Sequence, residues 1–193
     1  MLNRRTACSG FSLIEVLVSI LIIAIGLLSL AGFQLKSQSA ELESYQRAQA
    51  LALLNDMAER LAANGANAPT YVSTTIWGTG ETTYTAPADC AALAVGSAAR
   101  DQCEWSVTLQ GAAEMAGATA RTGAMVGARG CLSQIQAPVT GTCTPGVYEV
   151  AVAWQGFTPT RSPPNTCAQG LYGTNDALRR VISMRITVGM PAC

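Results

Sequence analysis

An uncharged apolar run from Val16 to Leu35, entered through a single carboxylate at Glu15, constrains this chain more than any other feature. A helix from Phe11 to Leu35 would rise about 37 Å, enough to cross a hydrocarbon core of about 30 Å with some tilt. An acid such as aspartate costs about 2.5–3.5 kcal/mol at the centre of such a span and less near an interface, so Glu15 is expected to have a partner and a function. The stretch before it carries only Arg4 and Arg5 as charges. The bias of positive charge toward the cytoplasm therefore puts the leader inside and the C-terminal part outside. A conventional secretory signal fits poorly, because the run exceeds the usual apolar core of such signals and Glu15 interrupts its start.

Helical character continues past the apolar run. Residues 34–64 are rich in Ala, Leu, Gln and Glu without proline, and Ala50, Leu53, Leu54, Met57 and Leu61 recur at the spacing of one helix face. Asn64-Gly65 and then Pro69 supply the stop. The expectation is one helix of about 80 Å at 1.5 Å per residue, with an apolar first half and an amphipathic second half. Gly26 and Gly32 each cost about 1 kcal/mol relative to alanine inside it, and suit either close packing between helices or local unwinding during assembly.

Residues 66–102 read as loop, threonine-rich, with Tyr71 to Trp77 either an edge strand or an irregular connection. Trp105 to Leu109 is a strand or the start of a helix through Ala112 to Ala118. Three firmer strands, Cys131 to Gln136, Val147 to Trp154 and Val181 to Val188, alternate or run apolar with β-branched residues, broken by Pro138, Pro145-Gly146 and a Pro163-Pro164 loop. They predict an antiparallel meander packed on the amphipathic helix, an α+β architecture.

Seven cysteines divide into Cys8 before the apolar run and six after it: Cys90, Cys103, Cys131, Cys143, Cys167 and Cys193. None has CxxC spacing, which favours disulfides in an oxidising compartment over a metal cluster. The meander brings Cys143 toward Cys193 and Cys131 toward Cys167, leaving Cys90 and Cys103 as a local staple. Sequential pairing, Cys131–Cys143 and Cys167–Cys193, is the alternative, since hairpin register is not fixed by sequence. The chain of 193 residues has no histidine, which removes histidine-based triads and most zinc and iron sites. Twelve basic and twelve acidic residues leave no basic stripe for nucleic acid. Asp89, Asp101 and Glu104 lack the spacing of a calcium loop. Arg179, Arg180 and Arg185 read as solvated or edge-protecting charges, and Trp77, Trp105 and Trp154 as core rather than as a sugar platform. No catalytic residues, metal site or cofactor are implied.

The junction Ser9-Gly10-Phe11-Ser12-Leu13-Ile14-Glu15 followed by about twenty apolar residues resembles the processing signal of type IV prepilins and pseudopilins. The run Ala24-Ile25-Gly26-Leu27-Leu28-Ser29-Leu30-Ala31-Gly32-Phe33-Gln34 resembles the minor-pilin family of type IV pilus modification protein PilV. The resemblance implies a pilin-like fold with a small disulfide-bonded head. It divides the chain into a leader, 1–10; an apolar transmembrane and assembly half-helix, 11–35; an amphipathic half-helix, 36–65; and a head, 66–193. A prepilin peptidase would cut between Gly10 and Phe11 and methylate Phe11, and Glu15 would meet the Phe11 amine of a neighbouring subunit. Cleavage would leave six cysteines, an even number. The implied role is a non-enzymatic minor pilin that primes type IV pilus assembly, sits near the tip, and supports twitching and surface attachment. Its implied partners are other minor pilins, the major pilin, the inner-membrane assembly platform and a tip adhesin. The implied location is the bacterial inner membrane with a periplasmic head, then the pilus. A minor pseudopilin of type II secretion shares the N-terminal features, and a membrane-anchored adhesin or sugar-binding module is an alternative of another class. The absence of proline near Gly32 favours a minor subunit over a bulk one.

Overall fold

A computed structural model describes residues 10–84, 86–111, 115–116, 120–121 and 125–189. The chain divides into two units between Leu42 and Glu43. The first consists of the early part of helix α1, Leu13–Ala63, which opens with the Glu15 and Val16 amides donating to Ser12 O at 3.0 and 3.3 Å. From Phe11 to Leu35 every large apolar side chain is exposed, and an 18-residue window apolar enough to cross a membrane is buried nowhere in the chain.

The second unit contains the rest of α1 and the head. α1 buries Gln46, Ala50, Leu54, Met57, Ala58 and Leu61, one stripe at steps of three and four residues, and Leu53 flanks it half-buried. Each of Leu54, Met57 and Leu61 contributes about 1.5–3 kcal/mol by leaving water. The helix stops before Asn64-Gly65 and passes into a 3-10 turn, Gly65–Tyr71.

Strands β1 (Ser73–Gly78), β4 (Arg129–Gln136), β5 (Gly146–Gln155) and β6 (Arg179–Val188) form one antiparallel sheet in the order β1-β4-β5-β6. β2 (Met115–Ala116) and β3 (Ala120–Arg121) form a separate short hairpin. The meander from β4 to β6 thus has the expected order, and of the Tyr71 to Trp77 stretch the part from Ser73 belongs to edge strand β1 while Tyr71 ends the 3-10 turn. One face of β5 carries Tyr148, Val150, Val152 and Trp154 into the core with the α1 stripe. The other carries Ala151 and Ala153 beneath Cys167, Ala168 and Tyr172 of the loop between β5 and β6.

The segment expected as loop also contains helices α2 (Pro87–Ala91) and α3 (Ala98–Leu109). Ser97 caps α3, its hydroxyl accepting the Arg100 amide at 3.2 Å. Trp105 to Leu109 is helix, not strand. Its alternation misleads because within Trp105 to Leu109 only Thr108 is not buried, so this short window hides the helical period that Arg100, Asp101 and Glu104 complete upstream on the same polar face. α3 ends at Leu109 and Met115–Ala116 is strand, while the rest of the expected continuation, 112–114 and 117–118, lies outside the described residues.

Trp105, wholly buried, joins the layers: its indole N–H donates to Leu53 O of α1 at 2.9 Å, while its ring lies on Gly130 of β4. A Cβ at Gly130 would fall 2.2 Å from the ring, so the close approach requires glycine. Gly130→Ala is therefore expected to destabilise the head by about 1–3 kcal/mol through overpacking, read as a lower urea midpoint by tryptophan fluorescence.

Candidate functional site

The helix start carries the residues singled out at the junction. Phe11 is 79% exposed and Glu15 is exposed in the first turn of α1. Ser19 Oγ donates to the Glu15 carbonyl at 2.7 Å. Helix N-termini carry about half a positive charge, so the first turn is where a carboxylate is best tolerated in apolar surroundings. The spacing Ser12-x-x-Glu15 is that of a capping box, a signal the sequence reading overlooked. No described atom lies within 4 Å of the place a Cβ on Gly10 would take. Gly26 and Gly32 are likewise unconstrained, yet both are helical, so their cost is not repaid within the chain. The leader residues Arg4, Arg5 and Cys8 lie outside the described residues.

In the second unit the stem is fixed to the head by charged side chains. Glu43 Oε1 accepts the Phe157 and Thr158 amides at 3.1 and 3.4 Å and the Thr158 hydroxyl at 3.2 Å, and lies 3.3 Å from Arg180 Nη2. Burial raises its carboxyl, but these donors and Arg180 outweigh burial and hold it below the ordinary range. Farther along, Arg60 bridges Asp56 at 3.0 Å, Asp101 at 3.2 Å and Glu104 at 2.6 Å, and Arg100 completes the group at 2.9 Å from Glu104. The hydrogen bonds from Arg60, then Arg100, lower the Glu104 pKa. Tyr71 donates its hydroxyl to Asp101; burial first, and that bond second, push it up to about 12. Asp101 and Glu104 are thus engaged by cations and a phenol, while Asp89 accepts the Ala86 amide at 2.9 Å. Among the described residues no cluster of three acids, cysteines or histidines could hold a metal.

Arg179 corrects the reading of the arginines as solvated or edge-protecting. It is 1% exposed, 3.1 Å from Asp176, and donates to the carbonyls of Pro163, Asn165 and Cys167. Its guanidinium fork matches several acceptors at once, which is how one side chain pins a proline-containing loop. Disulfides Cys90–Cys103 and Cys131–Cys167 add to this framework. The second bond rules out the sequential set. Cys143 is disulfide-bonded, and Cys193, the partner expected for it, lies outside the described residues. Trp77, Trp105 and Trp154 are all buried, so none offers a sugar platform.

Residues 5–31 match the prokaryotic N-terminal methylation motif, and residues 32–106 match the family of type IV pilin Tt1218. The second match begins where the first ends, on the same continuous helix. The chain is a type IV pilin. No curated protein and no solved structure matches this pilin. The motif and the apolar helix tie it to the membrane and the pilus.

Both Glu43 and Glu104 have folded pKa values below their ordinary 4.5. Their contribution to stability is present above the unfolded pKa and is lost as pH falls through the folded values. The pilin's thermal midpoint should therefore hold from neutral pH down to about 5 and fall below it. Glu104→Gln should flatten that fall. Because the carboxylate is a third exposed, screening keeps its loss at neutral pH to about 1 kcal/mol, measurable by denaturant titration.

Proposed function

We propose that this pilin is a minor subunit that helps prime type IV pilus assembly from the inner membrane, its head in the periplasm, and supports surface attachment and twitching. The observation that carries the assembly reading is the helix half from Phe11 to Leu35: apolar, with every large side chain exposed among the described residues, and charged only at Glu15 in its first turn. Cleavage after Gly10 would leave an α-amine at Phe11, about one helical turn from Glu15. An unpaired amine and an unpaired carboxylate are each costly in apolar surroundings, and pairing them between neighbouring subunits offsets part of both costs. The minor role is supported by a stem without proline, uninterrupted from Leu13 to Ala63. Pilins are in general structural proteins rather than enzymes.

Mass spectrometry of the membrane-fraction protein should find an N-methylated Phe11 terminus without Cys8. An intact leader would overturn the processing, and Gly10→Leu should block it. Glu15→Gln should leave insertion and cleavage intact, because losing the charge lowers the insertion penalty, yet impair incorporation. In a strain carrying only this variant, surface pili should be reduced; normal piliation would contradict the assembly contact.

A further inference from the structure

The two edges of the sheet are finished differently. β1 is six residues long, and its register to β4 slips between Ser73 and Trp77, an irregularity that blunts an edge. β6 pairs residue for residue with β5 over ten positions, from Gly146 opposite Val188 to Gln155 opposite Arg179, and no described strand pairs with its far side. A straight edge of that length is a template for an added strand.

Its side chains say what kind of strand. On the core-facing row, Ile182, Ile186 and Val188 pack on the core but stay partly exposed, and Met184 between them is 38% exposed. On the other row Ser183, Arg185 and Thr187 are exposed. β6 contains three arginines and no acid. Arg179 is engaged by Asp176 and Arg180 by Glu43, whereas Arg185 makes no hydrogen bond or ion pair with a described residue. Glu149, directly across from Arg185, instead accepts Ser183 Oγ at 3.0 Å and Asn165 Nδ2 at 3.4 Å.

We propose that β6 receives an extended segment from a different protein, in which apolar residues alternate with polar ones and an acid stands opposite Arg185. Backbone hydrogen bonds supply the affinity. The apolar residues of the guest complete the cover over Ile182, Met184 and Ile186, and its acid pairs with the unengaged guanidinium. The same edge of a second copy is the wrong guest, because its β6 repeats the arginines and offers no acid.

The test uses the full chain in detergent and a blocked nine-residue peptide in which valine alternates with threonine around one central glutamate, beside the same peptide with lysine there. Fluorescence anisotropy should show the glutamate peptide binding about fivefold more tightly than the lysine peptide. Amide exchange should slow at alternate positions of β6. Arg185→Glu should reverse the preference, a result that loss of folding would not give. Absence of β6 protection at saturating peptide, equal affinity for the two peptides, or β6 amides already protected by a second copy without peptide would each overturn the proposal.

Discussion

A helix half whose large apolar side chains all stay exposed among the described residues governs this molecule. Burial of apolar area is the main favourable term in folding, yet from Phe11 to Leu35 no large apolar side chain is buried. Those side chains are matched only by a bilayer or by other helices. Gly26 and Gly32, costly where they stand and touching nothing, point the same way, since small residues let helices approach closely in lipid. The second half of α1 obeys the opposite rule: its stripe from Ala50 to Leu61 forms one wall of the core.

Within the second unit, several kinds of contact hold the head on the amphipathic part of α1. Apolar packing through Trp105 supplies part of that grip, the Glu43 and Arg60 groups add directional contacts at separate points along the helix, and disulfides constrain the loops. The ion pairs are modest singly, but the carboxylates of Glu43 and Glu104 each meet several donors, which makes their geometry specific. Arg179 does for the loop between β5 and β6 what the disulfide at Cys167 does from the other side.

What the sequence revealed followed periodicity and chemistry. The α1 stripe and the three strands of the meander were legible because one buried face leaves a repeat; strand order brings Cys131 and Cys167 to one end, but register left sequential pairing open, and only the structure decides for Cys131–Cys167. α3 was ambiguous because only Thr108 is not buried between Trp105 and Leu109, a window too short to show the polar face that begins at Arg100, Asp101 and Glu104, although Ser97 and the Arg100–Glu104 spacing marked a capped helix. The roles of Glu43 and Arg179 were not legible. Glu43 acts across more than a hundred residues of chain, and nothing local distinguishes a buried arginine from the solvated one at Arg185. At the junction, Glu15 stood out by its cost in an apolar run, while the capping spacing from Ser12 passed unnoticed beside it.

The central claim is that the Glu15 carboxylate serves the terminal amine of a neighbouring subunit. Zero-length carbodiimide coupling in isolated pili or membranes, from a mixture of isotopically light and heavy subunits, measures that proximity directly. The account predicts mixed-label peptides joining the Phe11 terminus of one subunit to Glu15 of another. Glu15 coupled instead to a water-soluble amine added in excess, with no mixed-label product, would contradict it.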